Sequence, residues 1–293
     1  MTRVLVTGGT GTTGSRVARR LSVEGHEVRV ATRTPDKAGE VFFDWLKPDS
    51  HAAAIAGVDA IYLVAPTGVL DVLAAMRPGL ECALSVGVRR FVLLSASALN
   101  EGDPMMGQVH AYLRANAVEW AVLRPSWFMQ NLTAQHSQTI RDENAIYSAT
   151  QQGRVPFIDA DDIAAVAVRA LTDVRPTNDD LLLTGPAALS YAEVADILSC
   201  TLGRNITHHA LSTDAMAGRF VQAGLDSNYA QLLAGLDAAI AEGAEDRTTD
   251  IVEHFTGRPP TSLAAFAETE RRQWERSSPR TNHSGGLGSG TYA

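Results

Sequence analysis

Lysine is all but missing from this chain. Of its 25 basic residues only Lys37 and Lys47 are lysines, and none lies beyond position 47. That excludes every mechanism needing a lysine from the rest of the chain, whether as a Schiff base or as the partner of a catalytic tyrosine. Cysteine is equally sparse: Cys82 and Cys200 provide neither a disulfide framework nor a Cys-rich metal site. Positive charge is in deficit, with 25 Lys+Arg against 33 Asp+Glu for a net −8, so there is no basic face for nucleic acid. Long apolar runs are lacking too. The most apolar stretch, Ala52 to Ala65, is broken by Asp59 and is too short to cross a bilayer. The N-terminus passes from Met1–Thr7 straight into glycines, without the apolar core of a signal peptide. We therefore expect a soluble protein of a reducing compartment, the cytoplasm, with no membrane or nucleic-acid partner.

What is present is an ordinary globular composition, 45% hydrophobic and 20% charged over 293 residues, enough for one large α/β domain or two small ones. Short Val-, Ile- and Leu-rich runs at Val4–Val6, Val28–Ala31, Val41–Phe43, Ala60–Val64, Phe91–Leu94 and Ala121–Leu123 have the character of buried parallel strands. Helix-period segments lie between them at Ser15–Glu24, Val69–Ser85 and Met106–Ala117. Strands alternating with helices predict an α/β fold, a doubly wound parallel sheet with helices on both faces.

After Pro125 the rhythm loosens. Asp161–Leu171 is predicted as a helix with Asp161 or Asp162 at its N-terminus, and Leu181–Thr184 as a strand. Ser190-Tyr191-Ala192-Glu193 is a capping box opening a helix to about Leu202. Ser212–Ala223, Ser227–Ala241 and Ser262–Trp274 also have helical character. The expected organisation is a single dinucleotide-binding Rossmann domain over residues 1–276. A small, mostly helical C-terminal cap comes mainly from 126–150 and 186–276, and a Gly/Ser-rich tail over 277–293 is expected to be disordered.

Gly8-Gly9-Thr10-Gly11-Thr12-Thr13-Gly14 follows the first strand and opens the first helix. It satisfies G-x-G-x-x-G in the strand–turn–helix context that gives this pattern its meaning. One glycine makes the turn, one admits a pyrophosphate, and one lets helix pack on strand, with the helix N-terminus facing the phosphates. Thr10, Thr12 and Thr13 would add N–H or hydroxyl donors. Arg33 lies 19 residues past Gly14, at the end of the second strand, where Asp or Glu would take the ribose 2′-hydroxyl of NAD. An arginine there instead suits the 2′-phosphate of NADP. The expected cofactor is NADP(H), with NAD(H) as the alternative.

Taken with Gly57–Pro66, Phe91–Ser97, Trp120–Pro125 and Pro156–Ala164, these residues make the chain from Met1 to about Trp274 resemble the NmrA-like group of atypical short-chain dehydrogenase/reductases. Within it, Leu123-Arg124-Pro125-Ser126-Trp127-Phe128-Met129-Gln130-Asn131 is similar to the ergot-alkaloid (festuclavine/agroclavine) dehydrogenase branch of secondary metabolism, whose members reduce an iminium C=N. The resemblance implies that Asp44 sits beside the adenine and that Ala65, Pro66 and Thr67 line its ribose. It also implies that Ser95 and Ser97 lie near the nicotinamide ribose. Pro125 would pass the nicotinamide, and Trp127, Phe128 and Met129 would border the substrate. Phe128 and Met129 serve equally well as core residues.

Ordinary members of that superfamily reduce carbonyls with Ser, Tyr and Lys. Here no Tyr-x-x-x-Lys exists, and Tyr112 is followed four residues later by Asn116. Two chemistries survive: hydride delivery to an iminium, which needs no proton in the same step, and reduction of a quinone or activated ketone with a proton from solvent or a histidine. Tyr112, His110 and His136 are the candidate local acids, the two histidines being equally suited to a helix surface. His208 and His209 would point to opposite faces of a strand and so form no metal site. The chain is thus expected to be a reductase of a small molecule, monomeric or homodimeric, with a non-catalytic NAD(P)-binding redox sensor as the alternative. A nucleotide-sugar epimerase would require the missing Tyr/Lys pair.

Overall fold

Consecutive β-branched and leucine residues suit strands covered on both faces, and the first half of the chain uses them that way. The computed structural model describes residues 1–275. In chain order the strands are β1 (Arg3–Val6), β2 (Glu27–Thr32), β3 (Glu40–Phe42), β4 (Ala60–Leu63), β5 (Arg90–Leu94), β6 (Glu119–Pro125), β7 (Ala145–Ser148), β8 (Arg154–Val155), β9 (Asp179–Leu183), β10 (Leu189–Ser190) and β11 (Thr207–Ala210). The helices are α1 (Thr12–Val23), α2 (His51–Ile55), α3 (Val72–Ser85), α4 (Met106–Asn116), α5 (Ala160–Thr172), α6 (Tyr191–Leu202), α7 (Thr213–Gln222), α8 (Ser227–Ala241), α9 (Ile251–Thr256) and α10 (Leu263–Glu270). Seven strands form one sheet, parallel at every pairing, in the order β3-β2-β1-β4-β5-β6-β9. This is the doubly wound sheet expected from the alternation, and its order reverses between β1 and β4.

The two-residue period of each strand divides the core. Val4, Val6, Tyr62, Val92 and Leu123 face α1 and α5, while Leu5, Ile61, Leu63, Phe91 and Val122 face α2, α3 and α4. On the first face, Asp161 of α5 gathers Arg16, Arg19 and Arg20 of α1 at 2.9, 3.0 and 3.4 Å. Asp161 is thus a pairing residue, and the N-cap of α5 is Asp159, whose carboxylate accepts from the Asp161 N–H at 3.0 Å. Asp162, fully buried, lies 2.7 Å from the Arg258 guanidinium and accepts from the Thr261 N–H at 2.6 Å. It ties the chain entering α10 to the sheet domain.

The cap is helical, as expected, but it also holds two short sheets, β7 paired parallel with β11 and β8 antiparallel with β10. These strands, like α2 and α9, are too short to show a hydrophobic period. The Ser190 capping box forms with both of its hydrogen bonds. The helix expected from Val69 starts at Val72, because the Asp71 carboxylate accepts from the Ala74 N–H at 2.9 Å and sets the N-terminus there. α10 gives way at Arg271 to a 3₁₀ turn ending at Trp274, whose buried indole donates to the Leu132 carbonyl at 2.9 Å. The segment 277–293 lies outside the described residues. No helix among them is long and apolar enough to cross a membrane.

Candidate functional site

The site grows from the carboxyl ends of β1, β4, β5 and β6. At the order reversal the Thr7 hydroxyl donates to the Tyr62 carbonyl at 2.9 Å and accepts from the Val64 N–H at 2.8 Å, joining β1 to β4. The chain then turns at Gly8, which has φ +58°. A Cβ on Gly14 would stand 2.2 Å from the Gly8 carbonyl oxygen, and one on Gly9 would stand 2.6 Å from Val30. Neither position accepts a side chain. Gly11 is the N-cap of α1, with no side chain capping it and no acidic residue in the first turn. The first N–H groups of a helix have no partner within it, so α1 offers bare donors and a positive dipole end. Thr10, Gly11 and Thr12 are exposed there, whereas Thr13 and Gly14 are buried.

Arg33, just past β2, is exposed and makes no hydrogen bond or ion pair with another described residue. Asp44, half-buried after β3, accepts from the Leu46 N–H at 3.0 Å. The next residue, Trp45, donates from its indole to the Val64 carbonyl at 2.9 Å, which draws the tail of β3 against the tail of β4. Asp44 and the loop Ala65-Pro66-Thr67 thereby border the same end of the sheet.

Farther along this edge Ser95 and Ser97 follow β5, their N–H groups donating to the carbonyls of Leu123 and Pro125 at 2.7 and 2.9 Å. Pro125 and Ser126 are buried at the end of β6. Trp127 and Phe128 are half-buried and Met129 is fully buried. Phe128 packs onto the sheet-side core, while Met129 faces a cavity of about 170 Å³ in the cap, walled also by Phe157, Leu189, Ile197 and Leu263. One participant escapes sequence reasoning altogether. Glu245, only 3% exposed, accepts from the Ser97 hydroxyl at 3.0 Å and from the Ser126 hydroxyl at 3.3 Å. In the sequence Ala244-Glu245-Asp246-Arg247 reads as a solvated charge run with no signal of burial.

The three candidate acids are scattered. Tyr112 lies in a groove between α3 and α4 under the Arg77 guanidinium, 5.1 Å from its ring centre. No hydrogen bond joins it to Ser95, Ser97 or Ser126, and burial together with Glu81 raises its pKa. His110 is buried beside Trp120, and desolvation lowers its pKa despite Asp180 and Glu101. His136 lies inside the cap against Tyr191, where burial and the neighbouring His208 lower its pKa to about 4. His208 and His209 diverge, the first bonding Ser148 and the second stacking on Tyr147. No group of three or more potential metal ligands occurs among the described residues.

The arrangement fits a dinucleotide. The Gly9 and Gly14 positions exclude a Cβ, α1 presents uncapped N–H groups without an opposing carboxylate, and an unengaged arginine stands at the end of the neighbouring strand. Residues 8–174 match a family described as NAD(P)H-binding. The chain is 44% identical over 275 residues to the uncharacterised oxidoreductase YesF of Bacillus subtilis, covering 92% of this chain and 96% of that protein. It is 39% identical over 295 residues to festuclavine dehydrogenase of Aspergillus fumigatus, covering 93% and 99%. Its fold is that of the NADPH-dependent quinone oxidoreductase of Escherichia coli, solved with NADPH, at a TM-score of 0.80 and 21% identity, covering 91% and 99%.

Proposed function

Because the chain belongs to the NAD(P)H-binding family of NmrA-like atypical short-chain dehydrogenase/reductases and is an NAD(P)H-dependent oxidoreductase, we propose that it uses NADPH to reduce an apolar small molecule carrying an iminium, quinone or activated ketone. The observation that carries the reading is the junction of two features. A glycine turn suited to pyrophosphate lies at one end of the strand edge, and the half-buried Trp127 and Phe128, just past β6, lie at the other.

Gly8, Gly11 and Gly14 shape the turn, and the N–H groups of Thr12, Thr13 and Gly14 take the phosphates. Thr10 and Thr12 border them on the exposed side. Arg33 pairs with the 2′-phosphate and so sets the preference for NADPH over NADH. Asp44, Ala65, Pro66 and Thr67 hold the adenosine half, and Ser95, Ser97 and Pro125 the nicotinamide half. Bound NADPH supplies a hydride, and the protein's part is to hold the electrophile against it and keep water out. The sequence holds no Tyr-x-x-x-Lys to protonate a product, which suits an electrophile that becomes neutral on accepting hydride. The named activity of the Aspergillus relative supports this reading over a non-catalytic sensor.

The test is loss of NADPH absorbance with purified protein and a cyclic iminium, a quinone and an aromatic ketone, each repeated with NADH. Turnover of at least one, faster with NADPH, is the expected result. Tight NADPH binding with no turnover across the panel would overturn it.

A further inference from the structure

A line of polar groups crosses the cap, and neither the nucleotide edge nor the reductase reading uses it. His136, in the segment after β6, sets its ring centre 5.8 Å from that of Tyr191 on α6, and Tyr191 stands 5.7 Å from His208 on β11. The His208 Nε2 lies 2.8 Å from the Ser148 hydroxyl of β7, which shares a 2.8 Å hydrogen bond with Thr150. Between those two residues the Ala149 N–H donates to Asp237 of α8 at 2.8 Å. Helices α6 and α8, strands β7 and β11 and the His136 segment therefore meet along one seam. A Cβ on Gly153 would stand 2.1 Å from the Ile240 carbonyl oxygen, so the turn after β7 is pressed directly against α8. The loop leaving α8 then carries Glu245 to the Ser97 and Ser126 hydroxyls at the strand edge.

Neither imidazole of the seam has an ion pair with another described residue. The carboxylates of the surrounding elements are turned elsewhere: Asp237 to Ala149, Glu193 to Ser190 and Arg154, Glu143 to Tyr147, and Asp142 to Arg141. Of the cations, Arg204 donates to the carbonyls of Ile140 and Trp274, and Arg219 lies over Tyr147. What faces the two histidines is Tyr191, each other, and His209 beside His208. Burial and then His208 lower the pKa of His136 to about 4, and burial and then His209 lower that of His208. Burial raises Tyr191 and Asp237, so the first stays neutral and the second gives up its charge early in acid. No countercharge awaits a proton taken up here, and an unpaired charge inside the cap is unfavourable.

From this arrangement we infer that the seam is an acid-operated switch: proton uptake by His136 and His208 sets two positive charges beside Tyr191 and releases the cap, with its Glu245 contact, from the strand edge. The closed cap binds these protons less readily than the released one, so closure is favoured at neutral pH and is lost as pH falls. A histidine held at about 4 in the closed cap, and returned to its ordinary value of about 6.5 on release, shifts the opening equilibrium about 20-fold between pH 7 and pH 5. The inference goes beyond the reductase reading and does not depend on it.

The test is amide hydrogen exchange of the full-length protein without nucleotide, followed by peptide mass spectrometry from pH 7 to pH 5 and corrected for the pH dependence of amide chemistry. Cap peptides over 133–150, 189–211 and 227–249 should open more readily than sheet peptides over 3–32 and 90–94 at every pH. Their opening should rise about 20-fold or more across the range, the 242–249 stretch that carries Glu245 rising with them. His136→Gln keeps a polar side chain that does not titrate, and should leave only the smaller rise due to His208. His136→Gln combined with His208→Gln should hold cap opening within about twofold from pH 7 to pH 5. Equal protection of cap and sheet peptides at every pH means that the cap has no opening of its own, and overturns the inference. A parent-like rise in His136→Gln overturns it as well. Should a variant fail to fold, the parent protein still decides, because a rise below about threefold in its cap peptides refutes the switch. Failure of the reductase reading is distinct: it shows as absence of turnover, which the exchange measurement does not use.

Discussion

Replacing Gly14 by Ala tests the glycine turn through a displacement that can be worked out in advance. The added methyl would lie 2.2 Å from the Gly8 carbonyl oxygen and 2.9 Å from the Gly9 Cα, so roughly 1 Å of separation must be found. Helix α1 cannot supply it. Val17, Ala18 and Leu21 are buried against α5, and Arg16, Arg19 and Arg20 are pinned to Asp161. The turn must move instead. Charge-assisted N–H bonds to phosphate are about 2.7–2.9 Å long, and about 1 Å of stretch ends them. Losing two such bonds, worth about 1.5–3 kcal/mol each, weakens NADPH binding by at least about 100-fold. Overpacking alone lowers stability by only about 1–3 kcal/mol, so the variant should still fold. Fluorescence titration with NADPH, alongside a thermal melt, separates the two effects. A folded variant that binds NADPH within about threefold of the parent would refute the assignment of this turn to the pyrophosphate.

Arg33→Ala should weaken NADPH about tenfold, the modest figure reflecting an exposed contact, and leave NADH within about twofold; equal loss for both in the same titration counts against the 2′-phosphate role. The neutral His136, with its pKa lowered to about 4 by burial, binds its proton less readily folded than unfolded. Its stability contribution is thus present above about pH 6.5 and is lost as pH falls towards 4, roughly 2 kcal/mol between pH 7 and pH 5. His136→Gln should flatten that part of the melting-temperature profile, with His208 and His110, shifted in the same direction, supplying the residual slope. Asp162→Ala strips the half-buried Thr261 N–H and the Arg258 guanidinium of their partner and should cost about 1–3 kcal/mol in urea unfolding, with NADPH affinity little changed.

The glycine turn and the position of Arg33 were legible in the chain, because local rules govern them. Gly14 must be glycine for a steric reason that operates within one turn, and Arg33 stands one βαβ unit later at a spacing that the fold imposes. The strands were visible because buried parallel strands are continuous runs of Val, Ile and Leu. The shorter elements were not, since β8 and β10 have two residues each and no period can be seen in two. Ambiguity at Phe128 and Met129 ended only with packing, which sends Met129 into the cap and leaves Phe128 half-covered on the sheet side.

The near-absence of lysine by itself left the chain without a Tyr-x-x-x-Lys, and the glycine turn with Arg33 pointed to a dinucleotide and favoured NADP(H). Those conclusions need only composition and short spacings. Tertiary structure alone decided that Tyr112 belongs to a groove between α3 and α4, and that His136 lies in the cap with Tyr191. It alone decided that Glu245, in a stretch that looks like solvated loop, closes over Ser97 and Ser126. The reason is distance along the chain. Glu245 meets its serines across 148 and 119 residues, and no local pattern encodes a contact made only when the cap folds back onto the sheet.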